Sequence, residues 1–280
     1  MVLINGREAA SISVFDRGLQ YGDGLFETLA IWRGEALCVH RHLQRLVHGC
    51  QVLGIPVFDI DRLRQEMASL AADVGRGVLK LTITRGSSNR GYAPPEGASP
   101  TRILSLHPWP QYPMSYWDRG VTVHRCRVRL SRNPLLAGLK HLNRLEQVLA
   151  RRECQQVNCP EGIMLDTAGW VIEGTMSNVF VVKHGQLITP RLSHCGVAGV
   201  MREIILDGIH RQHSVPLRVK ALRLHSVVNA DELFVCNSLV GIWPVERFGN
   251  RRYGVGPITQ HLQQELVRRC VVVPVGGVVQ

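Results

Sequence analysis

Lysine is scarce in this chain: of thirty-three basic residues only Lys80, Lys140, Lys183 and Lys220 are lysines, and arginine carries the rest of the positive charge. Metal-ligand spacing is absent too. The eight cysteines form no C-x-x-C element and the twelve histidines no H-E-x-x-H pair, which argues against a disulfide framework and predicts no metal. No apolar run approaches the roughly twenty residues that cross a bilayer, so no membrane partner is expected. Residues 1–7, MVLINGR, have neither the basic leader nor the apolar core of a secretory signal, which predicts a cytoplasmic protein with free thiols. The net charge of +11 raises a basic nucleic-acid-binding module as a remote alternative. Its arginines are spread along the whole chain, however, with no lysine-rich tail and no nucleic-acid motif, so no nucleic-acid partner is expected. The charge suits an anionic small molecule and a phosphate-bearing cofactor instead.

What is present reads as an ordinary globular chain. Its 280 residues, 45% hydrophobic and 20% charged, leave room for two domains with buried cores. Short strands are expected at residues 2–4, 26–32 and 36–39, with a hairpin turn at 33–35. Leu43, Leu46, Val47, Cys50 and Leu53 recur at three and four, which predicts a helix over 40–53, and Asp59 caps a second helix reaching about residue 72. Strands at 78–84 and 101–106 flank a long polar loop. The run 108–117 holds three prolines and four aromatics and suits neither a helix nor a central strand, so the domain junction is placed there. This gives a smaller N-terminal domain, 1–110, and a larger C-terminal one, 118–280. Beyond the junction come strands near 121–129, 163–165, 170–172, 179–182, 187–189 and 233–236, with helices at about 143–156, from 199, and at 258–269. Strands and helices alternate without a βαβ repeat, so the fold class is α+β.

Three segments carry candidate chemistry. Lys140 lies in the largely apolar run PLLAGLKHLNR, residues 134–144. Arginine cannot form a Schiff base and lysine can, so an amine kept here is a candidate for covalent catalysis; the competing reading is a lysine snorkelling from a helix start. Glu173 to Asn178, EGTMSN, clusters a carboxylate, a glycine and small or amide-bearing residues at a strand junction, where ordinary turn roles compete. Residues 190–202 combine a glycine-rich turn with a helix start, at which the backbone N–H groups of Val200 and Met201 can cradle a phosphate.

Taken in order, HLQRL at 42–46, Lys140 with its LNRL trailer, EGTMSN at 173–178 and GVAGVMR at 196–202 resemble the class IV pyridoxal-phosphate enzymes. The resemblance runs from residue 4 to about residue 245. That family contains branched-chain aminotransferases, D-amino-acid aminotransferases and aminodeoxychorismate lyases. RGSSNRGY at 85–92, residues 133–148 and DRGLQYGDGLFE at 16–27 look most like the lyases of folate synthesis, and the tyrosine that follows the lysine in branched-chain aminotransferases is missing from 141–149. The resemblance implies the two-domain fold of the D-amino-acid aminotransferase type and a homodimer. It also implies a pyridoxal 5'-phosphate cofactor, a substrate with two carboxylates, and conversion of 4-amino-4-deoxychorismate to 4-aminobenzoate and pyruvate. An aminotransferase of the same fold is the alternative. By matching positions, Lys140 would hold the cofactor covalently and shuttle the proton; Thr28, near the glycine-rich turn at 21–24, is a candidate helper for the departing group. Glu173 would face the pyridine nitrogen, and Arg45, Val200, Met201 and Ser238 would bind the phosphate. Asn178 would support the ring edge; Arg85 and Arg90, in the long polar loop, are candidates for one side of the substrate's two carboxylates, against a competing reading as solvated loop arginines.

Overall fold

The structure, a computed structural model, describes residues 1–56, 58–208 and 215–273. The chain divides into two compact units, one of residues 1–110 with 139–143 and one of residues 111–138 with 144–280.

The first unit holds β1 (Val2–Ile4), β2 (Arg7–Glu8), α1 (Arg17–Tyr21), β3 (Gly24–Trp32), β4 (Glu35–Ala36), α2 (Val39–Leu53), α3 (Ile60–Ala71), β5 (Arg76–Thr84) and β6 (Thr101–His107). Its antiparallel sheet has the order β2-β1-β6-β5-β3-β4. β3 pairs with β5 over its whole length, from Gly24 against Thr84 to Trp32 against Arg76. Alternation along the strands puts Leu29, Ile31, Leu79, Leu81 and Ile83 in the core and Phe26, Thr28 and Lys80 on the other face. α2 buries Leu43, Leu46 and Cys50, the stripe its spacing predicts, and Gly49 lets it approach Leu25 so closely that a Cβ there would come within 2.7 Å of the leucine. Asp59 caps α3, accepting from Arg62 N at 2.9 Å. The strand expected at 36–39 stops at Ala36, because Cys38 turns left-handed (φ 55°) to start α2.

Lys140 was expected in the larger C-terminal domain, and the structure corrects this. The segment 139–143 packs with the first unit, where Phe26 N donates to Lys140 O and Leu142 N donates to Gly24 O, both at 3.0 Å. Lys140 is therefore in extended chain laid against the start of β3, not at a helix start.

The second unit contains α4 (Ser115–Asp118), β7 (Val121–Leu130), α5 (Leu145–Gln156), β8 (Glu161–Asp166), β9 (Val171–Gly174), β10 (Asn178–Lys183), β11 (Gln186–Pro190), α6 (Val200–Asp207), β12 (Leu217–Lys220), α7 (Leu224–Val228), β13 (Glu232–Asn237), β14 (Gly241–Phe248), β15 (Arg251–Arg252) and α8 (Pro257–Arg268). Its mixed sheet runs β12-β11-β10-β13-β14-β7-β8-β9, with β15 on β14. The core lies along the middle strands, with Val179, Val181, Leu233 and Val235 in one buried cluster and, by alternation, the stacked pair Phe180 and Phe234 (5.0 Å) on the other face. Sequence reading left β14 out. It carries Pro244, a residue that argues against a central strand, yet pairs with β13 on one side and, through a bulge, with β7 on the other. The short helix α4 likewise sits inside the proline-rich run read as non-helical, its first turn closed by Tyr116 N on Pro113 O.

Candidate active site

In the first unit, Lys140 and Thr28 belong to one neighbourhood. The Lys140 Nζ lies 4.1 Å from the centroid of the Phe26 ring, and Lys80 Nζ sits 5.7 Å from the same centroid. Thr28 is directly across from Lys80 on the paired strand, so the hydroxyl-bearing residue, the ring and both amines share one sheet face. Lys80 was not singled out from the sequence, because a lysine in a β-branched strand looks like a solvated position.

On the opposite face Glu27 forms a buried cluster. Arg45 donates from Nε to Glu27 Oε1 at 2.8 Å and from Nη2 to Oε2 at 2.5 Å, and His42 Nδ1 stands 2.6 Å from Oε2. Burial works to raise the Glu27 carboxyl, but the Arg45 charge and the hydrogen bonds from His42 and Arg45 overcome it and hold the pKa at about 2. Burial lowers the His42 pKa despite the opposing pull of Glu27. The planar fork of Arg45, expected to meet a phosphate, thus has one edge on Glu27, which fixes the guanidinium in place.

Arg85 needs correction. It was expected to bind a substrate carboxylate, yet it is 5% exposed and its donors are taken by the protein. Its Nε and Nη2 bind the Asp23 carboxylate at 2.7 and 3.0 Å, while Nη1 and Nη2 bind Gly54 O and Leu53 O, both at 2.7 Å. It closes the C-terminal end of α2, where orphan carbonyls and the helix dipole favour a cation. Arg17, also buried, holds the loop from the other side through Asp23, Gly91 O and Tyr92 O. Burial opposes the charge on Asp23, but hydrogen bonds from Arg85 and Arg17 more than offset it and keep the carboxyl below its ordinary value. Arg90 is exposed in the same loop.

The second unit brings Glu173, Asn178, Val200, Met201 and Ser238 to one corner. Glu173, 4% exposed, accepts from Val197 N at 2.7 Å through Oε2 and from Gln147 Nε2 at 3.4 Å through Oε1. Burial lowers the pKa of Arg144, and the charges of Glu173 and Glu146 offset this only in part. Asn178 donates to Val197 O at 2.8 Å and accepts from Gly199 N at 3.1 Å, so both ends of the 173–178 segment grip the loop leading into α6. That grip needs glycines. A Cβ on Gly196, at φ 87°, would come within 2.6 Å of Ile172, and one on Gly199 within 2.1 Å of Asn178 Oδ1. Asn178 also pairs with Cys236 across the sheet, and Asn237 Nδ2 donates to Met176 O at 3.1 Å, which places Ser238 at the same corner.

These residues fit a phosphate-bearing pyridine. Gly199 caps α6 without a side-chain hydrogen bond, and Val200 and Met201 are each 1% exposed, so a buried helix start presents N–H groups with no intrahelical acceptor. Glu173 supplies a buried carboxylate acceptor a few residues away in space, through Val197. Among the described residues no group of three or more His, Cys, Asp or Glu could hold a metal ion, and no helix is long and apolar enough to cross a membrane.

The chain matches the Amino-transferase class IV family over residues 24–248. It is 34% identical over 271 residues to the aminodeoxychorismate lyase of Vibrio harveyi, covering 95% of this chain and 99% of that one. The 4-amino-4-deoxychorismate lyase structure from Pseudomonas aeruginosa superposes with a TM-score of 0.92 at 50% identity, covering 96% of this chain and 98% of that one. A branched-chain amino acid aminotransferase structure from Escherichia coli gives a TM-score of 0.86 at 26% identity, covering 94% and 92%. With a matching pattern over most of its length and two lyases similar to it end to end, this chain belongs to the class IV aminotransferase family.

Proposed function

We propose that this protein is a pyridoxal-phosphate-dependent lyase that converts 4-amino-4-deoxychorismate to 4-aminobenzoate and pyruvate. The observation that carries the reading is the 50% identity to the Pseudomonas aeruginosa lyase over nearly the whole chain, with Lys140 held above Phe26.

When bound, the cofactor supplies a carbonyl for amines to condense with and a ring that accepts an electron pair. Lys140 contributes the amine that holds it covalently. Its free amine would then serve as the base that takes the proton from the substrate carbon bearing nitrogen. Glu173, buried and already an acceptor, keeps a proton on the pyridine nitrogen, which favours electron withdrawal. Val200 and Met201 N–H, Arg45 and Ser238 would hold the phosphate, and Asn178 fixes the loop that enters α6. The C–O bond to the enolpyruvyl group breaks, the ring becomes aromatic, and the proton taken by Lys140 returns to the departing group, which leaves as pyruvate. No amino acceptor, oxidant or reductant is consumed. Thr28, on β3 opposite Lys80, would assist the departing group. With Arg85 engaged by Asp23, Lys80 and Arg90 are the cations for the two carboxylates.

Mixing purified protein and cofactor with 4-amino-4-deoxychorismate tests this: the fluorescence of 4-aminobenzoate should appear without any 2-oxo acid. Its appearance only on adding an acceptor sinks the lyase. The second reading, a D-amino-acid or branched-chain aminotransferase, draws on the fold shared with the Escherichia coli enzyme and predicts turnover of alanine with 2-oxoglutarate.

A homodimer belongs to the same proposal. Val14, Phe15 and Leu19 expose 68, 59 and 63% of their surface within six residues, an apolar patch suited to a second copy, which light scattering would reveal as twice the chain mass. Eight free cysteines suit the reducing cytoplasm, where we place the enzyme.

A further inference from the structure

Glu161 opens β8 and is fully buried, yet no step above uses it. A carboxylate out of water must be met by donors. Those of Glu161 are backbone amides and hydroxyls, and four of the five come from one turn. Oε1 accepts from Gly162 N at 2.7 Å, from Thr175 N at 2.9 Å and, in a short contact, from Thr175 Oγ1; Oε2 accepts from Ser177 Oγ at 2.7 Å and Met176 N at 3.4 Å. The turn itself is closed by Gly174 N on Ser177 O at 2.6 Å. It is also tight, since a Cβ on Gly174 would come within 2.2 Å of Ser177 Oγ and 3.0 Å of the Glu161 carboxyl.

Residues 174–177 are the whole of the chain between Glu173 and Asn178, whose side chains hold Val197 and Gly199. We propose that Glu161 is a positioning residue for the cofactor. By clamping Thr175, Met176 and Ser177 it sets the separation of Glu173 and Asn178, and through them the placement of the loop entering α6. The inference rests on the roles given above to Glu173 and Asn178. A carboxylate suits the task because it accepts from several donors at once, whereas the isosteric amide presents its own N–H groups to some of them.

The test is Glu161→Gln, read by equilibrium dialysis of pyridoxal phosphate and by the near-visible absorbance of the bound cofactor. The expected result is a dissociation constant raised by roughly tenfold or more, with a native far-UV circular dichroism spectrum; loss of ligand-orienting partners has effects of this order elsewhere. Asn178→Ala combined with Glu161→Gln should cost less than the two changes added together, because both act on one turn. Strict additivity overturns the inference, since a residue that only supports the fold has no reason to couple with Asn178. An unchanged affinity in Glu161→Gln overturns it while leaving the proposed function standing. Failure of the unaltered protein to bind the cofactor overturns both. If Glu161→Gln does not fold, Thr175→Val and Ser177→Ala each remove one donor and should weaken binding several-fold; native affinity in both refutes the clamp.

Discussion

Two buried carboxylates, Glu27 in the first unit and Glu161 in the second, are held by different means. In the first, Glu27 is met by charge, with the Arg45 guanidinium on two oxygens and His42 beside it. In the second, Glu161 is met by amides and hydroxyls, and Glu173 by Val197 N and the Gln147 amide. Counter-charge makes the first cluster sensitive to pH and to loss of either partner, because the survivor is a buried ion. The donors that meet Glu161 are fixed dipoles with no charge of their own to lose. Titratable partners hold one cation still, and neutral donors hold Glu161.

The largest expected effect lies outside both clusters. Lys140→Ala should lower turnover by roughly 10⁴-fold or more, the upper range for loss of a catalytic base, and abolish the near-visible absorbance, while circular dichroism stays native. Borohydride reduction followed by peptide mapping should label Lys140 in the unaltered protein; a label elsewhere contradicts the assignment.

Glu27→Gln attacks the charged cluster and should cost about 3 kcal/mol in denaturant unfolding, the penalty of stranding a buried cation. The pH dependence has a definite sign. The unfolded chain binds protons more readily than the folded one at both groups, at His42 from 6.5 downward and at Glu27 from 4.5 down to about 2. Stability therefore falls as pH falls through that window, and Glu27→Gln should flatten the lower part of the fall. An unchanged acid limb would place the sensitivity elsewhere.

Arg85→Ala gives the smallest functional change and the clearest check on the corrected role. It should lower stability by about 2 kcal/mol, from the lost bonds to Asp23 and the end of α2, while KM for the substrate moves less than about twofold. A tenfold rise in KM would return Arg85 to the substrate.

Local periodicity carried much of the fold. The three-and-four spacing of Leu43, Leu46 and Cys50 produced α2, and Asp59 marked the start of α3. The family was legible because its motifs are short and contiguous, and each preserves its own residue order. Pairings across long stretches of chain were not. Arg85 reads as a loop cation until Asp23 and the end of α2 arrive beside it. Pro244 argues against a central strand, yet it pairs with Phe234 on β13 just before β14 begins to pair with β7.

By itself, the amino-acid sequence determined the family and the fold class and marked Lys140 as the candidate amine, since these depend on residue type, order and nearest-neighbour spacing. Tertiary structure alone decided that Lys140 lies against β3, that Arg85 ends a helix, and that Glu161 grips the turn beside Glu173. In each case the partner is fixed by which chain segments meet, and the free energy of a buried charge depends on what stands next to it in space.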